Sequence, residues 1–340
     1  MGKKDTGKLM RGLDKEYLKR FADSKWFKFY QKHEEELFLG IRNNYVNIYY
    51  KGMNIAKIQG KFNNATIADR YRYKDYKKKN EYHAITYDDF EEIYEETIKP
   101  EVEKHIEKNK LWEKETQQIL ILRNNANCKK NKSNWVCIDM ESIRQRQNKK
   151  DNQGKSFGRF DVVAVNKENY KVALIELKVG QGAIGGESGL LKHAKDWEDV
   201  KKRNLFSKDR NGGENCLKNE IVEIINNKYF LDNSYPIKGC SKEDFEHIEP
   251  EFYFLICSGD MTIDEIKNQV RKYLWSAEKC KKYNIKQVSD KYNVEKNIGY
   301  DISKKGAGPL YCEFLFAEGA RENIKITDII DDEYERNIEE

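Results

Sequence analysis

Two short segments constrain this chain more than any others: residues 159–165 (RFDVVAV) and 171–179 (KVALIELKV) are apolar at both odd and even positions, yet each carries ionisable side chains inside the run. Strands that are apolar on both faces belong between layers of helices. Burying Asp161, Glu176 and Lys178 in such strands is costly unless they pair with one another or hold a cation. A hairpin that sets Val165 against Val172 and Val163 against Leu174 brings Asp161 opposite Glu176 on one face. Like charges directly across a ladder destabilise it, so this register asks for a positive ion between the two acids. Lys178, two residues beyond Glu176, shares that face.

Two carboxylates around a divalent ion, with an ammonium beside them, make a kit for phosphodiester hydrolysis. Hard oxygen ligands select Mg²⁺ or Mn²⁺, which polarises a phosphate and lowers the pKa of a bound water, while the lysine orients that water or offsets developing charge. The triplet alone is not specific, since Asp75-Tyr-Lys77, Asp199-Val-Lys201 and Glu265-Ile-Lys267 repeat it. What sets Glu176 apart is its apolar strand and the partner strand that carries Asp161.

The surrounding pattern predicts a mixed α/β domain. Apolar positions at helical spacing predict one or two helices over 11–33. Alternation between Asn-Asn and Lys-Gly turn signals then predicts a three-stranded antiparallel meander over 36–61. A charged helix follows over 87–108, and a soft boundary near Pro100 divides an N-terminal module, 1–99, from a second domain, 100–340. From Leu111 the order reads helix, strand (135–140), strand (159–165), strand (171–179), glycine-rich turn, helix (187–203) and strand (251–257). A helix over 263–277 and a strand over 310–317 extend the same sheet.

Asp161 and then Glu176-Leu177-Lys178 on the next strand, inside an αβββαβ order, resemble the PD-(D/E)XK nuclease superfamily over about 111–258. The residue before Asp161 is Phe160, where the family name has proline. The resemblance implies an α/β fold with a restriction-endonuclease-like core, a mixed sheet flanked by helices, and Mg²⁺ or Mn²⁺ bound by Asp161, Glu176 and the backbone carbonyl of Leu177, with Lys178 as catalytic lysine. Many members add an acid from the first core helix, and Glu115, on the stripe of Trp112, Ile119 and Leu122, is the candidate here. Glu141, at the end of the first core strand, is a possible further ligand. His193, between Leu190 and Trp197 on the helix after the turn, is a possible contact for a phosphate or a water. By the tendency of the superfamily the substrate is DNA, and a part in defence against foreign DNA fits the same resemblance.

Composition supports this reading at a coarser level. The net charge of +5 conceals an uneven distribution: residues 328–340 are acidic, whereas 70–80 (RYRYKDYKKKN) are basic and rich in tyrosine. Arg144, Arg146, Lys149, Lys150 and Lys155 before the Asp161 strand, and Lys201, Lys202 and Arg203 after the helix, are placed to follow a phosphate backbone. Tyr45, Tyr49, Tyr50 and the basic segment make the N-terminal module the candidate for recognising substrate, a partner protein or a second copy of the chain. The longest apolar run, 252–257, is far short of the roughly 20 residues that span a bilayer. Seven cysteines, never spaced as CxxC, fit reduced thiols in a cytoplasm and no zinc ribbon.

Two other functions compete with the nuclease reading. One is a nucleic-acid-binding protein on a nuclease fold that does not cut. The other is a nucleotide-binding enzyme built on Gly180-Gln-Gly182-Ala-Ile-Gly185, which matches the dinucleotide fingerprint but lacks a strand-end acid about 20 residues further on.

Overall fold

A computed structural model of the chain describes residues 11–60, 62–74, 81–144, 157–186, 189–202, 204–208, 216–279, 283–288, 298–304 and 311–317. In chain order the elements are α1 (Lys15–Ala22), α2 (Lys25–Lys32), β1 (Leu37–Ile41), β2 (Tyr45–Tyr50), β3 (Met53–Gln59), β4 (Asn64–Ala68), α3 (Asp69–Arg72), β5 (Tyr82–Thr86), α4 (Tyr87–Ile93) and α5 (Lys99–Asn109). There follow α6 (Trp112–Lys129), β6 (Trp135–Arg144), β7 (Phe157–Asn166), β8 (Val172–Val179), α7 (Leu190–Lys202), α8 (Leu217–Leu231), β9 (Glu251–Cys257), α9 (Ile263–Lys279), β10 (Tyr283–Val288), β11 (Ile298–Lys304) and β12 (Tyr311–Ala317). The architecture is α/β, with a five-stranded antiparallel sheet and a seven-stranded mixed sheet.

The chain divides into two compact units, Met1–Leu122 with Asn219–Cys240, and Arg123–Lys218 with Ser241–Glu340. The division therefore does not fall at Pro100. That proline lies inside a helical run that is unbroken from Tyr87 to Asn109, just after a π-helical turn (Tyr94–Ile98) that joins α4 to α5, so it does not mark a linker. Val102 and Ile106 of α5 are fully buried.

In the first unit the strands run in the order β1-β2-β3-β4-β5. The meander expected over 36–61 is β1 to β3, and β4 and β5 extend it. Lys51 and Gly52 turn β2 into β3 with left-handed φ values of 48° and 76°, the two-residue connection that suits the twist of a hairpin. Gly52 has a second constraint, because a Cβ there would lie 2.1 Å from the carbonyl oxygen of Lys114. Asp14 and Ser24 accept from Tyr17 N and Phe27 N and so cap α1 and α2. Trp26, Phe29, Phe90 and Tyr94 pack edge to face in the core. Helix α8 joins this unit from far along the chain: Leu13 N donates to Asn227 Oδ1 at 2.8 Å, and Lys228 lies over the ring of Phe38.

Tyrosines expected to meet a partner turn out to be core. Tyr49 and Tyr50 are each 4% exposed. The Tyr49 hydroxyl accepts from Arg42 and Asn47, and that of Tyr50 donates to Glu103. A half-buried strand with helices over one face uses its rings for packing. Tyr45 lies beneath Lys57.

In the second unit the order is β10-β11-β12-β9-β8-β7-β6, with β8, β9 and β12 parallel and the remaining pairs antiparallel. The chain passes through α6, β6, β7, β8, α7 and β9 in the expected αβββαβ order, with α8 inserted before β9. Strand β6 forms one edge of the sheet. From α6, Asn125 gives its amide to the Cys137 carbonyl at 3.0 Å and accepts from Cys137 N at 2.9 Å, so a side chain replaces a neighbouring strand at that point. On the face that carries Glu176, Trp197 of α7 stacks on Phe252 and Phe254 of β9, at 5.0 and 4.4 Å. That fully buried ring fixes α7 against the sheet.

Candidate active site

Strands β7 and β8 pair Val165 with Val172, Val163 with Leu174, and Val162 with Ile175, which is the register drawn from the sequence. Pairing stops there. Strand β8 continues beside β9 as far as Val179, while β7 continues beside β6. Where the two strands part, the Asp161 carboxylate takes the place of the ladder: its Oδ2 accepts from Leu177 N at 2.9 Å. Parting strands make room for side chains that a closed ladder would hold tightly. Asp161, Glu176 and Lys178 are all buried in that place.

Glu176 and Lys178 are each 2% exposed. The Lys178 ammonium is 2.6 Å from Glu176 Oε1 and donates to the Leu177 carbonyl at 3.1 Å. His193 Nε2 lies 3.0 Å from the same Glu176 oxygen. A carboxylate only accepts, so Nε2 carries the ring proton. Burial, and next the charge of Lys178, push the imidazole down to about 4, against the opposing pull of Asp161 and Asp196. At neutral pH it is therefore an uncharged donor. His193 precedes Trp197 by one turn, so the ring that fixes α7 also sets the reach of His193 to Glu176.

The donor set is of the type that a hard divalent ion takes. Two carboxylates and a peptide carbonyl, those of Asp161, Glu176 and Leu177, supply oxygen only, and both acids are buried. Lys178 now makes the compensating contact with Glu176.

The other candidates are placed as follows. Trp112 is 39% exposed, so the stripe through Ile119 and Leu122 is not the buried face of α6; Leu120 and Ile121 are. Glu115 is buried nonetheless, and its Oε1 lies 3.2 Å from Lys51, which also holds Glu103 at 3.0 Å. This brings Glu115 into an ion-pair network of the first unit. Glu141 stands in β6 between Met140, paired with Val162, and Ser142, paired with Phe160, so the register sets it across from Asp161. Its φ is +50°. Among the described residues the other left-handed non-glycine positions are all outside strands. Arg144 ends β6, and Lys201 and Lys202 are exposed on α7. Arg146, Lys149, Lys150, Lys155 and Arg203 lie outside the described residues, as do 75–80 of the basic segment and the acidic tail.

The glycine-rich turn leaves β8 with Gly180 at φ +70° and reaches Gly186 at φ +81°. The chain then enters α7, so Asp196 and Glu198 are helical and no strand-end acid follows at the dinucleotide spacing. Two groups of His and acid residues in the first unit carry no signal in the sequence. His33, Glu36 and Glu95 form one, where Lys99 bridges the two acids at 2.9 and 3.0 Å. Asp69, Glu81 and His83 form the other, with His83 Nδ1 2.7 Å from Asp69. Their members lie up to some 60 positions apart, and only folding unites them.

No protein-family model matches the chain, and no curated protein and no solved structure matches it. Among the described residues no helix is long and apolar enough to cross a membrane.

Proposed function

We propose that this protein is a Mg²⁺- or Mn²⁺-dependent nuclease that hydrolyses phosphodiester bonds in DNA, with α6, β6, β7, β8, α7 and β9 as a restriction-endonuclease-like core. The observation that carries the reading is the burial of Asp161, Glu176 and Lys178 together where β7 and β8 part. A structural ion pair needs one acid and one base; a second buried acid one strand away is what a divalent ion adds to the requirement. Bound there, the ion would polarise a phosphate oxygen and lower the pKa of a water ligand.

The chain's own residues supply position and charge. The Leu177 N–H fixes the Asp161 carboxylate, and the uncharged His193 donor fixes Glu176. Lys178 orients the attacking water or offsets the charge that develops on the phosphate. Arg144 and the basic residues that follow it, with Lys201 and Lys202, hold the sugar-phosphate backbone.

Incubation of plasmid and linear DNA with the protein and Mg²⁺ tests the proposal. Cutting is expected, EDTA is expected to stop it, and Lys178→Ala is expected to slow it by about 100-fold or more, the usual size of losing one group that stabilises transition-state charge. Undiminished cutting by the variant would refute the mechanism. DNA binding with no cutting under Mg²⁺ or Mn²⁺ would favour the non-catalytic alternative.

A further inference from the structure

Lys178 contacts Glu176 Oε1 and the Leu177 carbonyl oxygen, and the metal-site reading assigns a divalent ion to that same carboxylate and that carbonyl. Resting on that reading, we propose that Lys178 and the ion alternate on these oxygens, with His193 holding Glu176 in place in both states. An ion touching the same two oxygens from the same side would stand where the ammonium nitrogen stands. Two cations cannot share that position.

Burial couples the two events. Glu176 and Lys178 are both within the core, so opening the pair with nothing to replace it would strand a carboxylate away from water. The ammonium can leave only as another cation arrives. Once displaced, it is available to a phosphate or its attacking water beside the ion. Without the ion the lysine is held on Glu176 and cannot serve the reaction. Metal loading thereby switches Lys178 from structural partner to catalytic group. The contact from His193, at 3.0 Å, anchors Glu176 from α7, a separate element.

Crystals of the wild-type protein grown without metal and soaked in MnCl₂ provide the direct test. The expected result is a manganese anomalous peak on Asp161 and Glu176, with Lys178 beyond the roughly 3.5 Å reach of a hydrogen bond to Glu176 Oε1 and the His193 contact kept. Manganese on both carboxylates with the ammonium still bonded to Oε1 would overturn the exchange and leave the metal site standing. No manganese at the carboxylates would overturn both. In solution, Lys178→Met is expected to bind Mn²⁺ at least about tenfold more tightly than wild type, within the range usual for coupled sites. Equal affinity would count against the exchange. Should that variant fail to fold without the ion, Lys178→Gln, which keeps a donor for Glu176, carries the same titration.

Discussion

At Glu176 a lysine and a histidine nitrogen share one carboxylate oxygen, and pH acts on that arrangement through the histidine. The His193 imidazole is held near 4 in the folded chain, against 6.5 for the free group. On acidification the unfolded chain takes up this proton first, so the contribution of His193 to stability is whole above pH 6.5 and drains away between 6.5 and 4. Melting temperatures measured across that window are expected to fall less steeply for His193→Gln than for wild type; parallel curves would show that His193 does not carry the effect. Glu141 offers a second residue-scale prediction. A left-handed φ costs a residue with a Cβ about 1–2 kcal/mol, which glycine escapes. Glu141→Gly is therefore expected to unfold at higher denaturant than Glu141→Ala, two variants that lose the same carboxylate; the reverse order would mean that no strain is stored there. Asp161, Glu176 and Lys178 are legible in the sequence because charges interrupt an apolar run, and His193 because it is spaced with Leu190 and Trp197. The strain at Glu141 is not legible, since residue type does not fix a dihedral angle. Glu115 is buried as expected, but its partner Lys51 is far away in the chain, a contact that spacing does not show.

Strands with a dense apolar pattern are legible in the sequence: β9 spans the predicted residues 251–257, and β7 and β8 differ from expectation by a residue or two at their ends. Elements whose pattern is diluted by polar residues are not. Helix α8 buries Asn219, Glu220, Asn227 and Lys228 among its apolar residues, which hides the helical period. Strand β5 buries only Ile85, leaving no alternation to read. Edges depend on contacts that sequence spacing does not show, as at β6, where Asn125 stands in for a strand. Asn125→Ala removes both of its bonds to Cys137 and is expected to lower unfolding stability by roughly 1–3 kcal/mol, the cost of leaving part-buried backbone groups unsatisfied. Urea unfolding followed by circular dichroism would read the change, and a variant as stable as wild type would show that water covers that edge equally well.

Over the whole molecule, the net charge of +5 describes neither unit nor the candidate site, whose ionisable groups are buried and few. The division into units is hidden as well: Asn219–Cys240 returns to the first unit after the second has begun, a long-range closure that composition does not record. The site needs no such closure. Asp161, Glu176 and Lys178 come from one hairpin, which is why local pattern finds these buried charges while it does not show the division into units. The central claim, that Asp161 and Glu176 together support ion-dependent cutting, is tested most directly by the rate of DNA cleavage as Mg²⁺ is raised from zero, for wild type and for Asp161→Asn. The wild-type rate is predicted to start at background and climb to a plateau, while the variant stays about 100-fold or more below it at every Mg²⁺ concentration. Cleavage that persists in EDTA, or a variant that cuts at the wild-type rate, would contradict the account.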